Sequence, residues 1–225
     1  MRWCDLAFLH WPVTADVLRP MIPAALAVDT YDGQAWIGVV PFRMEGVRLR
    51  GAPSVPTTGA FPEINVRTYV RGAGRAGVWF FSLDATSRLA VRGARFLYNL
   101  PYFDAEITLR SEAGAIQYDS NRVHRGAPGA TFVGRYRPLS DVYEAAPGTL
   151  DHFLVERYCL FMFDERRGLG LLDIDHEPWP LQRATADLSV NTMVDPLRIT
   201  LPRVEPLVHF AGMLDVRAWT RTPVE

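Results

Sequence analysis

The chain has 225 residues, a formal net charge of -1 at pH 7 and 48% hydrophobic residues, enough for one sizeable core in a single domain over 1–225. No basic run stands alone, which disfavours nucleic acid and anionic membranes as partners, and no stretch approaches about 18 uninterrupted apolar residues. The start MRWCDLAFLHWPV lacks the pattern of a secretory leader, so a cytoplasmic protein is expected.

All 24 basic residues are arginine. Without a lysine side chain, no Schiff base between a side-chain amine and a carbonyl substrate can form, and that class of covalent catalysis is excluded. Cys4 and Cys159 lack CxxC spacing and suggest neither a disulfide framework nor a zinc site.

In chain order, the apolar run Trp3 to Trp11 reads as a buried strand ended by Pro12. Thr14 caps a short helix to Leu18. Tyr31-Asp32-Gly33-Gln34 is a hairpin signal flanked by strands Ala27 to Tyr31 and Gln34 to Phe42. Gly51 to Pro62, rich in proline and glycine, reads as a loop able to cover a cavity mouth.

From Phe61 to Ile107 the pattern is densest. Glu63, Asn65, Arg67, Tyr69 and Arg71 alternate with Ile64, Val66, Thr68 and Val70, the period of a strand with one polar face. Gly72 to Gly77 is a turn, and its glycines precede a strand, where a phosphate loop would precede a helix. Val78 to Leu83 is apolar on both faces, as a strand covered on both sides must be. Thr86 or Ser87 caps a helix to about Tyr98 that carries Arg88, Arg92 and Arg95 as a basic stripe and stops before Leu100-Pro101-Tyr102.

Strands follow at Ala105 to Arg110, Ala115 to Val123 and Thr131 to Arg137, then a helix from Thr149 to about Tyr158. Cys159 to Phe163 and Leu171 to His176 pair across the turn at Arg166 to Gly170. Trp179 to Leu188 is a strand, Asn191 to Asp195 a helical turn, and Leu207 to Phe210 with Leu214 to Trp219 are the last strands. About a dozen short strands and two or three helices define an α+β, predominantly β chain. So many antiparallel strands close into a barrel or pack as two sheets.

Two readings of the Glu63, Asn65, Arg67 face stay open. It is either a solvated strand surface with cross-strand charge pairs, or a covered face where a carboxylate and a guanidinium need partners or a ligand. In the second case Glu63 would gain a raised pKa and serve as acid or base, and Arg67 would hold a carboxylate by two parallel hydrogen bonds. Trp79 would border such a cavity, and Arg95 lies nearest the Leu100-Pro101-Tyr102 corner. The five histidines, at 10, 124, 152, 176 and 209, show no metal-ligand spacing and read as scattered surface and core residues. No metal or cofactor is expected.

FPEINVRTYV, GVWFFSLDA, LAVRGARFLYNLPYFDAEI, HEPWPLQRA and LDVRAW together resemble the domain-of-unknown-function 2071, or YqjF-like, family over nearly the whole chain. That family is similar to acetoacetate decarboxylase, and the resemblance implies an acetoacetate decarboxylase-like antiparallel β-barrel with a central cavity and a few flanking helices. It also suggests a homodimer. By that resemblance the decarboxylase's Schiff-base lysine falls at Tyr102, one of its glutamates at Glu63 and the other near Gly38. Its substrate-binding arginine near the N-terminus has no secure counterpart, since Arg2 and Asp5 both lie in that region.

The expectation is a small-molecule-binding barrel for an organic acid or carbonyl compound, with Glu63, Arg67, Trp79, Arg95 and Tyr102 lining or bordering the cavity. One alternative is an enzyme of lyase or hydratase type working without a Schiff base on a keto-acid-like substrate. There Glu63 is the acid or base, and Tyr102 polarises an oxygen. The other is a structural or interaction protein whose barrel is filled by its own side chains.

Overall fold

The computed structural model describes residues 1–47, 59–87, 91–93, 95 and 99–224. Strands dominate: β1 (Arg2–Val13), β2 (Ala27–Val28), β3 (Ala35–Glu45), β4 (Ala60–Gly72), β5 (Arg75–Ala85), β6 (Tyr102–Glu112) and β7 (Ala115–Arg122). After them come β8 (Thr131–Pro138), β9 (Cys159–Asp164), β10 (Gly168–Asp175), β11 (Leu181–Asn191), β12 (Leu207–Asp215), β13 (Arg217–Ala218) and β14 (Thr222–Pro223). Short α-helices described from end to end are α1 (Ala15–Leu18) and α2 (Leu150–Val155). Thr149 caps α2, its hydroxyl accepting from the His152 amide at 3.3 Å.

Following the hydrogen bonds from β4 through β5, β6, β7, β8, β11, β12, β1 and β3 leads back to β4, so the sheet closes on itself as a ring. Closure leaves no edge strand in the ring. Strand β5 is the branch point: Leu83–Ala85 pair with β6, while Val78 and Trp79 pair with β9, which carries β10, β13 and β14 outward. Both of these pairings are parallel, where the sequence led to an all-antiparallel expectation. A parallel pair needs a crossover between its strands, and residues 86–101 supply one between β5 and β6.

Most expected elements are present with shifted ends. The strand expected from Glu63 starts at Ala60 and continues to Gly72, and the two final strands form one, β12, with β13 after it. The turn between β4 and β5 shrinks to Ala73 and Gly74, both at positive φ (48° and 70°), which makes a tight primed turn. Tyr31 and Gln34 close the expected Asp-Gly turn as an isolated bridge, but the strand before it is only Ala27–Val28. Of the expected loop, 51–58 lies outside the described residues. Of the helix after Ser87, only 91–93 and 95 are described, and all four are helical.

Strand β4 is buried on both faces. Ile64, Val66 and Val70 enter one apolar cluster with Leu9, Ile37, Tyr118 and Phe132, and Phe61 and Tyr69 enter another with Phe8, Val40, Phe42, Leu154 and Trp179. The solvated reading of the Glu63, Asn65, Arg67 face is therefore overturned: all three residues are buried. Flanking strands β3 and β5 pair with nearly all of β4, and α2 lies over the Arg67 end of this face. A second sequence-distant pair lies on the Ile64 face, opposite Glu63, where Asp84 and Arg122 meet in two hydrogen bonds of 2.7 and 2.8 Å.

Candidate functional site

Glu63 is 2% exposed. Its register partners are Phe42 on β3 and Ala85 on β5, so apolar strands flank it. Tyr102 reaches it because Leu83, the partner of Asn65, is also the parallel partner of Tyr102, which puts the three side chains on one side of the sheet. The Tyr102 hydroxyl donates to Oε2 of Glu63 at 2.9 Å.

Burial pushes the Glu63 carboxyl up to about 8; the hydrogen bonds of Tyr102 and Asn65 oppose that shift and the negative charge of Asp84 adds to it. Tyr102 is partly exposed as a residue, but its hydroxyl end is enclosed, and burial with the nearby carboxylate holds its phenol well above the usual range. At neutral pH this end of the face presents a protonated carboxyl backed by a phenol.

Arg67 lies two strand positions beyond Asn65. A bulge in β5, between Ser82, the partner of Val66, and Phe80, the partner of Arg67, interrupts the ladder here. The guanidinium is 7% exposed, sits 5.0 Å over the Phe8 ring and 5.8 Å over the Tyr69 ring, and donates weakly to the Leu154 carbonyl at 3.5 Å. It has no ion-pair partner among the described residues, and its Nε has no hydrogen-bond partner. Ring stacking offsets about 0.5–2 kcal/mol of the cost of burying such a charge, less than that cost.

The other expected residues are placed differently. Trp79 pairs with Thr68 and packs into the cluster on the opposite face of β4, because its position on β5 has the parity of Thr68 and not of Arg67. Arg95 is exposed; its Nη1 donates to the Tyr102 carbonyl at 2.7 Å and stands 3.3 Å from Nε2 of His124. It braces the Tyr102 corner from outside and does not reach the Glu63–Arg67 face.

Sequence reasoning missed His10. It is fully buried on β1, with Nε2 2.6 Å from the Tyr69 hydroxyl, which in turn donates to the Leu154 carbonyl at 2.7 Å. Burial and the neighbouring Arg67 and His209 push its pKa well below the usual range, so the ring is neutral. The available signal was a polar residue inside the otherwise apolar strand Trp3 to Trp11. His209 is also fully buried, its Nε2 3.1 Å from Oδ1 of Asp151 on α2.

Among the described residues no cluster of three or more His, Cys, Asp or Glu side chains could hold a metal. Two surface cavities lie elsewhere. One, of about 190 Å³, is lined by Arg135, Arg137, Thr185 and Asp187 among others. The second, of about 340 Å³, is lined by residues including Thr86, Asp104, Glu106 and Val123. Neither includes Glu63, Arg67 or His10, and neither holds a fully buried charge, so the chemistry is concentrated on the β4 face. No described helix is long and apolar enough to cross a membrane.

The closed ring with its branch at β5 is the fold of acetoacetate decarboxylase-like proteins. An acetoacetate decarboxylase-like enzyme from Sphingomonas wittichii RW1 superposes with a TM-score of 0.65 at 14% identity, over 100% of this chain and 91% of that one. Acetoacetate decarboxylase from Legionella pneumophila gives 0.60 at 15%, over 100% and 86%. The enduracididine biosynthesis enzyme MppR, in complex with pyruvate, gives 0.64 at 14%, over 98% and 88%. At these identities the likeness shows the fold alone. The chain belongs to the DUF2071 family of uncharacterized conserved proteins, whose model matches residues 1–215. It is 46% identical over 217 residues to the uncharacterized protein YqjF of Bacillus subtilis, covering 96% of this chain and 88% of that protein.

Proposed function

We propose that this is a small-molecule-binding protein for a short organic acid or carbonyl compound, its carboxylate held by Arg67 and its far end turned toward Glu63. The observation that supports this is the buried Arg67 guanidinium without a counter-ion among the described residues. A ligand carboxylate supplies the missing charge through two parallel hydrogen bonds, offsetting the desolvation that the protein alone leaves uncompensated. MppR, of the same fold, is complexed with pyruvate, a small oxo acid, which agrees with this ligand class. The chain contains no lysine, so its side chains hold such a ligand without a Schiff base.

Thermal-shift titration with short carboxylic acids tests the reading. The wild type rises in Tm with at least one acid, and Arg67→Met, which keeps the apolar stem, does not. A wild type that responds to no acid leaves the barrel as a filled structural element, and an Arg67→Met variant that binds normally overturns the role of Arg67.

Glu63 favours a second reading, an enzyme on the same ligand class. A carboxyl with a pKa of about 8 is protonated at neutral pH and donates to an oxygen of a bound carbonyl, with Tyr102 polarising the same region. Turnover of 2- and 3-oxo acids by the wild type but not by Glu63→Gln supports it. Absence of turnover in both leaves a binder.

A further inference from the structure

The same face carries buried polar atoms without partners, a donor on Arg67 and an acceptor on His10 among them. Nε of Arg67, Nδ1 of His10 and Nδ1 of His209 have no hydrogen-bond partner among the described residues, while Nε2 of His209 faces Asp151. They come from neighbouring strands of the ring: His10 is the register partner of Gly38, Gly38 of Arg67, and Phe8 of His209. Gly38 allows the first two to meet. A Cβ there would stand 3.1 and 3.2 Å from Cδ2 and Nε2 of His10 and 3.5 Å from Cγ of Arg67.

The hydrogen bonds determine which nitrogen of His10 carries the proton. The Leu154 carbonyl can only accept, so the single proton of the Tyr69 hydroxyl points to it. The Tyr69 oxygen must then accept from His10, which puts the imidazole proton on Nε2. In a neutral ring this leaves Nδ1 as a bare acceptor, fully buried, to which no described residue donates. Buried acceptors are normally paired, so this one is left for a donor that the described residues do not supply.

A donor-only cation and an acceptor-only nitrogen, on residues that share Gly38 as register partner, select among organic acids. An oxo acid offers acceptors alone; it fills Arg67 and leaves Nδ1 of His10 unpaired. An amino acid brings donors, but its ammonium would sit beside the guanidinium and be repelled. A hydroxy acid brings a carboxylate and a hydroxyl proton together.

We propose that the ligand is a short hydroxy acid, its carboxylate on Arg67 and its hydroxyl donating to Nδ1 of His10. This rests on the reading of Arg67 as the carboxylate anchor and adds His10 as the residue that sets specificity.

Isothermal titration of 2-hydroxybutyrate against 2-oxobutyrate, and of 3-hydroxybutyrate against acetoacetate, tests it on the wild type and three variants. In at least one pair the hydroxy acid binds the wild type at least about tenfold tighter, since a site built to pair a hydroxyl leaves a buried group unpaired with the analogue lacking it. His10→Gln keeps a donor for Tyr69 but has no acceptor at the Nδ1 place, and it loses that preference while its affinity for the oxo acid stays within about twofold. His10→Asn, with an amide at the Nδ1 place, retains part of the preference.

Equal or weaker binding of the hydroxy acids, or a preference that survives His10→Gln, overturns the hydroxy-acid assignment. If Arg67→Met still abolishes binding in that case, the carboxylate anchor stands. Binding unchanged in Arg67→Met, or absent from the wild type for all four acids, overturns the anchor and the assignment together.

Discussion

The hydroxyl of Tyr102 donates to Oε2 of Glu63 at 2.9 Å, across a chain separation of 39 residues, and it is one of two side-chain hydrogen bonds that stabilise the buried carboxylate. The position where the resemblance puts a reactive amine is thus occupied by a group that tunes an acid. The Glu63 carboxyl is pushed up to about 8 because burial outweighs both hydrogen bonds.

Glu63 makes stability fall with rising pH. Its folded pKa, about 8, lies above the ordinary 4.5, so between those values the folded chain keeps a proton that the unfolded chain has lost. Its contribution is complete below about 4.5 and fades as pH rises to 8, by roughly 1.4 kcal/mol per pH unit at most. Glu63→Gln removes that slope. Urea denaturation from pH 5 to 8 should show the wild type losing stability relative to Glu63→Gln, and a constant difference between them contradicts the assignment.

Tyr102→Phe removes a bond that favours the charged carboxylate, so the Glu63 pKa rises further. The carbonyl stretch of protonated carboxyls, followed by infrared titration with Glu63→Gln as the blank, should move its midpoint upward. A downward move would mean that water entering the vacated space outweighs the lost hydrogen bond.

The Asp84–Arg122 pair is buried on both sides, and Arg122 also lies 4.1 Å over the Phe103 ring. Arg122→Met leaves the buried Asp84 carboxyl without its ion-pair partner, a loss of about 3–5 kcal/mol in chemical denaturation. Adding Asp84→Asn to Arg122→Met should recover part of it, since no buried charge is then left. Equal stability of the wild type and Arg122→Met would show that Asp84 is protonated already.

Gly77 is where β5 passes β9. A Cβ there would stand 2.8 Å from Sγ and 2.9 Å from the carbonyl of Cys159, and 2.9 Å from the Phe161 ring. A backbone carbonyl cannot yield as a flexible side chain does, so Gly77→Ala should cost about 1–3 kcal/mol. Gly114, by contrast, has open space where a Cβ would go, though it sits at a φ of 73°, so its alanine variant is strained by backbone alone. Comparing the two Tm values separates crowding from strain, and the crowding account predicts a loss at Gly77 that Cys159→Ala partly relieves.

Period-two alternation from Glu63 to Arg71 marked β4, and turn chemistry at Asp32-Gly33 and Gly72 to Gly77 marked where the chain reverses. These are local properties, carried by neighbouring residues and their backbone preferences, and they were legible without the fold. So was the exclusion of a side-chain Schiff base, since composition alone decides it. Whether the polar face of β4 met water or protein was not legible, because period two says which residues share a face and nothing about what covers it. Packing against the neighbouring strands and α2 buried it, turning Glu63 into a neutral acid and leaving Arg67 a cation without an ion-pair partner among the described residues. Tertiary structure also moved Trp79 to the opposite face, through its register with Thr68, and brought His10 beside Arg67 over a glycine from a third strand. Those relationships join residues far apart in the chain, and only the hydrogen-bonded register of the closed sheet could decide them.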